Sequence, residues 1–264
     1  DGGGSWRQIT TPTRATLTNV FFVDKKHGWA SGHSGIILST LDGGDSWNSI
    51  SEPDAEVSFF DAYFFDERNG FFVGAYGQYS KTNDAGITLE NEFVNDLEPH
   101  FYSVKESPNR SLFLAGEMGQ IQRSTNRGRN WETLKFPYEG SLFDILCLSN
   151  DTLLAFGLRG HIFRSENNGD SWTEIENEEP EMITTGLVLS SGSILLASVA
   201  DKVLMSDDGG MTFHPLSLPG IDGTVAVQED PSGEQIYFCG KHGFLAIDRS
   251  SLESSLEEAV SSNE

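Results

Sequence analysis

The stretch Thr40-Leu41-Asp42-Gly43-Gly44-Asp45-Ser46-Trp47 constrains this chain most, because its pattern of acid, glycine, hydroxyl and tryptophan returns along nearly the whole sequence. The acid position recurs at Asp1, Asp84, Asn126, Asn167 and Asp208, and the hydroxyl-aromatic end recurs as Ser5-Trp6, Ser171-Trp172 and Thr212-Phe213, with Thr88-Leu89 and Asn130-Trp131 as drifted copies. Counted on the anchor, the positions are 6, 47, 89, 131, 172 and 213, so the gaps are 41, 42, 42, 41 and 41 residues. A fixed period of that length means that one supersecondary unit is repeated and stacked on its neighbours.

The unit reads as four short strands. In the first complete copy Leu17 to Asp24 is rich in β-branched and aromatic residues, Lys25 to Gly28 is a turn, and Trp29 to Gly32 is a second strand. His33-Ser34 connects it to Gly35–Thr40, the acidic turn follows, and Trp47 to Ile50 forms the fourth strand. Four further copies repeat this order, and after them Thr224 to Gln228, Ile236 to Gly240 and Gly243 to Asp248 supply three strands without a fourth. Ser5 to Ile9 has the character of the missing one, and pairing the chain ends in that way would hide exposed sheet edges. The pattern therefore predicts an all-β fold, a β-propeller of four-stranded antiparallel blades. It occupies residues 1–249, in repeat units of about 7–47, 48–89, 90–131, 132–172, 173–213 and 214–249. Residues 250–264 are Ser- and Glu-rich, and we expect a solvated acidic tail there, although Leu252, Leu256, Ala259 and Val260 share one helical face.

The repeated motif itself reads as structural. An Asp or Asn leading a tight turn accepts hydrogen bonds from amides just downstream. The residues assigned to this role are Asp42, Gly44 and Trp47; Asp84 and Gly86; Asn126, Gly128 and Trp131; Asn167, Gly169 and Trp172; and Asp208, Gly210 and Phe213. The aromatic anchor is expected to pack between sheets, where burying most of a Trp contributes about 4–6 kcal/mol at the upper limit. One or two carboxylates per turn are too few for a calcium loop.

A second recurring frame is Gly-x-x-Gly between the second and third strands, at 32–35, 74–77, 116–119, 157–160 and 240–243. In a four-stranded meander these turns leave at the end of the sheet opposite the acidic turns. Their middle residues vary while the glycines do not, so His33, Tyr76, Glu117, Arg159, Lys241 and His242 are the candidate partner-contact residues. The alternative is that they are ordinary solvated hairpin positions.

Charge and chemistry narrow the function further. A formal net charge of −23 repels phosphates and anionic lipid, so nucleic acid is not an expected partner. No apolar run is long enough to span a membrane, and no signal peptide is visible, but the chain opens at Asp1 inside a repeat. Cys147 and Cys239 lie in apolar runs and read as small buried hydrophobes. The six histidines show no metal-ligand spacing, no Ser stands in a nucleophile elbow, and no glycine-rich segment precedes a helix, so we expect neither metal, cofactor nor catalytic centre.

The acidic turns resemble the Asp-box, or bacterial neuraminidase repeat. More specifically, Asn19-Val20-Phe21-Phe22-Val23-Asp24, His27-Gly28-Trp29-Ala30-Ser31-Gly32, Gly35-Ile36-Ile37-Leu38 and the Asp42 box resemble the repeat of the photosystem II stability/assembly factor family. Gly70 to Gly77 and Ala155 to His161 are more similar to its relatives in non-photosynthetic bacteria. The resemblance covers about residues 1–250. It implies a non-enzymatic propeller, exported to a periplasm or thylakoid-lumen-like side, that helps a membrane protein complex assemble or persist, or in the bacterial relatives accompanies a transporter. It also implies seven blades, with further strands upstream. Photosynthetic members are associated with a basic partner-facing patch, whereas among these turns only Arg159 and Lys241 are basic. The competing enzyme reading is a sialidase-like glycosidase, whose arginine triad and Tyr/Phe-Arg-Ile-Pro segment have no counterpart here.

Overall fold

Alternating apolar residues bounded by glycine turns form short antiparallel strands, and a computed structural model describes them over residues 4–262. Blade one contains β1 (Leu17–Phe22), β2 (Gly28–Gly32), β3 (Ile37–Thr40) and β4 (Asn48–Ser49). Blade two contains β5 (Phe59–Phe64), β6 (Gly70–Gly74), β7 (Gln78–Thr82) and β8 (Glu90–Phe93). Blade three contains β9 (Phe101–Glu106), β10 (Leu112–Gly116), β11 (Ile121–Ser124) and β12 (Glu132–Thr133). Blade four contains β13 (Leu142–Cys147), β14 (Leu153–Gly157), β15 (Ile162–Ser165) and β16 (Thr173–Ile175). Blade five contains β17 (Ile183–Val188), β18 (Ile194–Ser198), β19 (Lys202–Ser206) and β20 (His214–Ser217). Blade six contains β21 (Thr224–Glu229), β22 (Gln235–Gly240) and β23 (Gly243–Asp248) and is followed by helix α1 (Arg249–Ser262). Each sheet is a simple meander in chain order, which makes this a six-bladed β-propeller.

The blades fall into two compact units. The first, residues 7–106 with 110–133, carries blades one to three, and the second, residues 134–262 with 4–6 and 107–109, carries blades four to six. The second strands of blades one to five are buried along their whole length, as in Gly70–Gly74 and Leu112–Gly116, whereas the outermost strands are short and largely exposed. Short polar outer strands are one way of blunting sheet edges. In the first unit the core includes Trp29, Phe59, Phe64 and Phe72 between blades one and two, and Phe71, Tyr79, Phe101 and Leu114 between blades two and three.

Every first strand carries a bulge at its start. The register slips between Leu17 and Asn19, Phe59 and Asp61, Leu142 and Asp144, Ile183 and Thr185, and Thr224 and Ala226, and in blade three Phe101 faces Gly116 while Ser103 faces Ala115. The extra residues are Thr18, Phe60, Tyr102, Phe143, Thr184 and Val225, each turned out of the ladder. Two of them stitch neighbouring blades: Thr18 Oγ1 donates to the Phe59 carbonyl at 2.6 Å, and Thr184 Oγ1 to the Thr224 carbonyl at 2.7 Å.

Three expectations are corrected here. Ser5 to Ile9 forms no strand; instead the Trp6 ring meets Phe244 of β23 edge-on at 4.8 Å, and blade six has three strands. The stretch after Asp248 is a helix rather than a solvated tail. Its Leu252 and Leu256 are buried with Leu189, Leu216, Ile236 and Phe238, because a sheet lacking its outer strand leaves apolar surface that an amphipathic helix can cover. Cys239 is exposed and Cys147 half-buried, since the period of two that buries Ile236 and Phe238 turns Cys239 outward. Among the described residues no helix is long and apolar enough to cross a membrane. Truncating Leu252→Ala or Leu256→Ala should each lower stability by about 2–5 kcal/mol in urea denaturation, while the exposed Ser254→Ala should stay within about 0.5 kcal/mol.

Candidate functional site

The two ends of the sheets have different chemistry. At one end lie the Asp-boxes, and their hydrogen bonds account for the repeated residues. In blade one Asp42 Oδ1 accepts from the Thr40 hydroxyl (2.7 Å) and the Ser46 amide (2.9 Å), and Oδ2 accepts from the Ser46 hydroxyl (2.6 Å). Asp84, Asn126, Asn167 and Asp208 repeat the carboxamide or carboxylate role. A residue that the repeat count overlooked completes the network: Thr40, Thr82, Ser124, Ser165 and Ser206 are buried, and each hydroxyl accepts from the amide of Gly44, Gly86, Gly128, Gly169 or Gly210 at 2.8–3.0 Å. The signal was present two positions before every acid. The half-copy at Asp1 lies outside the described residues.

The boxes also tie blades together within each unit. Trp29 Nε1 donates to the Ala85 carbonyl at 2.7 Å, the Tyr79 hydroxyl to the Gly128 carbonyl at 2.7 Å, and Arg164 Nε to the Gly209 carbonyl at 3.0 Å. Gly128 is needed for this approach, since a Cβ there would lie 2.3 Å from the Tyr79 oxygen. The box aromatics Trp47, Trp131, Trp172 and Phe213 are half-buried, so the energy expected for full burial does not apply to them. They sit beside the exposed outer strands, and the deep anchor is Trp29, stacked on Phe64 at 3.5 Å between ring centroids.

These bonds set the acidity of the boxes. The hydroxyl and amide of Ser46 hold Asp42 down from 3.8 to about 2, and Thr88 lowers Asp84 in the same way. At Asp208 burial is the largest single influence and opposes the shift, but the combined bonds from Thr212, Ser206 and Met211 outweigh it. A folded value below the unfolded one means that the ionised form stabilises the fold; that contribution is complete above about pH 4 and is lost as pH falls through about 2. Replacing Asp42, Asp84 and Asp208 by Asn, the residue already present at Asn126 and Asn167, should leave the chain folded at pH 7 with a reduced melting temperature. Its melting temperature should then fall less between pH 6 and pH 2.5 than that of the unmodified chain, as followed by circular dichroism.

At the opposite end the Gly-x-x-Gly frames form left-handed turns whose two central residues have positive φ: Ser34-Gly35, Tyr76-Gly77, Met118-Gly119 and Arg159-Gly160. The loops entering the next blade lie over them. Gly77 N–H donates to the Pro99 carbonyl at 2.8 Å, and a Cβ on Gly77 would come within 2.8 Å of Glu98 Cα. Gly35 N–H likewise donates to the Val57 carbonyl at 2.8 Å.

The candidate contact residues are distributed between the units. His33, Tyr76 and Glu117 belong to the first, and Arg159, Lys241 and His242 to the second. In the second unit Lys241 (3.0 Å) and His242 (2.5 Å) both pair with Asp222, whose carboxyl is held below its usual range chiefly by the Lys241 hydrogen bond. Arg159 stands exposed at its turn beside a cavity lined by His161, Glu174, Glu176 and Asn177. In the first unit the three candidates join a contiguous aromatic cluster. The His33 ring meets Phe60 edge-on at 6.3 Å, and Phe60 stacks on Tyr102 at 5.5 Å. His100 lies 5.9 Å from Phe60 and 4.8 Å from Tyr76 in an edge-on contact. Glu117 closes the cluster, accepting from the Tyr102 hydroxyl at 3.1 Å and the His100 amide at 3.2 Å. Burial, then the Glu117 charge, pushes the Tyr102 phenol up to about 12, so it remains a donor at neutral pH. Phe60, Tyr102 and His100 were missed from sequence. The first two are bulge residues, and a repeat alignment on positions 18, 60, 102, 143, 184 and 225 would have marked them.

Two other groupings bear on chemistry. Asp24, His27 and Glu67 have ligand-type atoms within 4.8 Å of one another, although the histidine spacing gave no such signal. Asp24 is committed to the amides of His27 and Lys26, which hold it at about 2, so it closes a local turn. At the box end of the first unit a cavity of about 490 Å³ is lined by Lys81, Arg127 and Arg129, with the Arg127 guanidinium 4.3 Å over the Phe65 ring.

The sequence matches the family described as Photosynthesis system II assembly factor YCF48 over residues 3–59 and 49–195. The chain belongs to that family. A YCF48-family relative, the photosystem II stability/assembly factor HCF136 (chloroplastic) of Cyanidioschyzon merolae, is 38% identical over 56 residues, 20% of this chain. The matched segment spans 13% of that relative's own length. The solved structure of YCF48 bound to D1 peptide superposes with a TM-score of 0.72 at 20% identity, covering 90% of this chain and 80% of that one. A virginiamycin B lyase from Staphylococcus aureus superposes with a TM-score of 0.74 at 14% identity, covering 91% and 87%. At such identities the likeness concerns the fold alone, and this fold serves family members and enzymes alike.

Proposed function

We propose that this chain is a non-catalytic propeller that binds a polypeptide segment of a membrane protein complex through its Gly-x-x-Gly face and assists assembly or persistence of that complex. The observation that carries this reading is the cluster of Tyr76, His100, Phe60, Tyr102 and Glu117 at the tips of blades two and three. Partly exposed aromatics around a charged group, held on rigid turns, have the composition of a protein-binding hot spot. Membership of the YCF48 family supports the assembly role, and the D1 peptide carried by the structural relative supports a peptide as the bound element. The family also favours action on the exported side of a membrane.

Seven aspartates are perturbed in the direction that disfavours acid catalysis. Asp24, Asp42, Asp66, Asp84, Asp208, Asp222 and Asp230 are all held below the ordinary carboxylate range by internal hydrogen bonds, whereas a general acid at neutral pH needs a raised value. A sialidase-like reaction draws no support from Arg127 and Arg129, which stand in a box turn at the end away from the cluster. Immobilised chain incubated with detergent-solubilised membranes of its source, then crosslinked and read by mass spectrometry, should retain subunits of one membrane complex. Tyr76→Ala combined with Arg159→Glu should weaken that capture at an unchanged melting temperature. Retention of no membrane protein would refute the assembly role, and undiminished capture by the double variant would refute the placement on this face.

A further inference from the structure

The Gly-x-x-Gly face of the first unit is built from the turns 33–35, 75–77 and 117–119 and the overlying loops 51–58 and 94–100. These segments hold Glu52, Asp54, Glu56, Asp96, Glu98 and Glu117 and contain no Lys or Arg, while Arg14 stands on the loop entering blade one, whose Thr16 carbonyl accepts from the His33 amide. Five of these carboxylates are exposed, and Glu117 is one-third exposed. Apolar side chains stand out among them: Tyr76 is 63% exposed, Leu97 61%, Phe93 60% and Met118 49%. Phe93 lies beside the Tyr76 turn, since a Cβ on Gly77 would come within 3.4 Å of its ring and within 2.8 Å of Glu98 Cα. Tyr76 projects from a backbone with φ of 54°, a conformation that non-glycine residues adopt at a cost. Among the described residues the ring contact of Tyr76 is its edge-on meeting with His100, and the rest of this large apolar ring is turned outward.

Glu117 retains binding capacity. A carboxylate offers about four lone-pair sites, and Glu117 uses one on Oε2 for the His100 amide and one on Oε1 for the Tyr102 hydroxyl, with His100 Nδ1 3.5 Å away. Glu117 thus stands beside the His100 and Tyr102 side chains, and a carboxylate next to aromatic rings is the combination that attracts an ammonium or guanidinium through both charge and ring quadrupole.

Building on the peptide-binding reading above, we propose that this face docks a cationic, partly apolar segment of the partner, with a lysine or arginine side chain seated beside Tyr76, His100 and Glu117. The apolar residues of the segment cover Phe93, Leu97 and Met118, and its remaining cations meet the carboxylates of the two loops. Charge complementarity selects this occupant: an acidic segment would bring like charges against six carboxylates with no cation among them.

The test uses the full chain and two fluorescent 16-residue peptides. One alternates Lys or Arg with Leu and Phe, and its twin carries Glu at every basic position. Anisotropy titration at 0.1 M salt should show the cationic peptide binding at least tenfold more tightly than its twin. Tyr76→Ala with Glu117→Gln should weaken that binding about tenfold at an unchanged melting temperature. Asp207→Asn, which removes one exposed charge from a box turn, should leave it unchanged. Equal binding of the two peptides, or of neither, overturns the cationic occupant. Equal weakening by Asp207→Asn and by the cluster variant overturns the site, because the attraction is then the overall charge of the chain. Each of these failures is separate from the capture of membrane subunits by the unmodified chain, which asks whether a membrane complex is bound at all.

Discussion

Each four-stranded blade depends on a buried hydroxyl and a carboxylate or carboxamide that together close the turn between its third and fourth strands. The hydroxyl of Thr40, Thr82, Ser124, Ser165 or Ser206 accepts the glycine amide from inside the turn, and the acid accepts the amide four residues downstream of itself. A turn with both central residues in the left-handed region has few internal partners of its own, so these side chains satisfy amides that burial would otherwise leave unpaired. The turn then presents a backbone carbonyl to the preceding blade, where Trp29, Tyr79 or Arg164 donates to it. A local turn thereby becomes an interblade clamp, and the period of the sequence becomes the period of the structure.

With the box end committed to structure, the opposite end is free to vary. The Gly-x-x-Gly turns need glycine at both ends of the frame: Gly74 packs against the Ser58 carbonyl at the start of its own first strand, and Gly77 passes beneath Pro99 and Glu98 of the following loop. The residues at their tips differ from blade to blade, and the bulge at the start of each first strand adds one more side chain outside the ladder near the same end. Where those bulge residues are Thr they bond the neighbouring blade, and where they are Phe60 and Tyr102 they gather His33, His100, Tyr76 and Glu117 into a cluster.

The propeller, its strands and the structural role of the acidic turns were legible because they rest on local rules repeated five or six times, so errors in one copy were corrected by the others. The aromatic cluster around Glu117 was legible only in part. Tyr76 and Glu117 were marked by the glycine frame, but His100 and the bulge residues Phe60 and Tyr102 sit on strands or loops of the following blade, and no spacing along one repeat reveals a contact across two. Helix α1 and the three-stranded sixth blade were misjudged for the same reason. Leu252 and Leu256 are two apolar residues in a Ser- and Glu-rich run, too few to hold a helix by themselves, and it is the uncovered surface of Leu216, Ile236 and Phe238 that buries them.

The sequence by itself determined the period, the blade, the box and the strongly acidic character, because each follows from residue type and spacing along the chain. Only the tertiary structure decided which aromatic is the deep anchor, which tip residues are tied up by Asp222, and which gather around Glu117. Those outcomes depend on how one blade packs against the next, and packing is set by three-dimensional proximity between residues that lie one repeat apart in the chain.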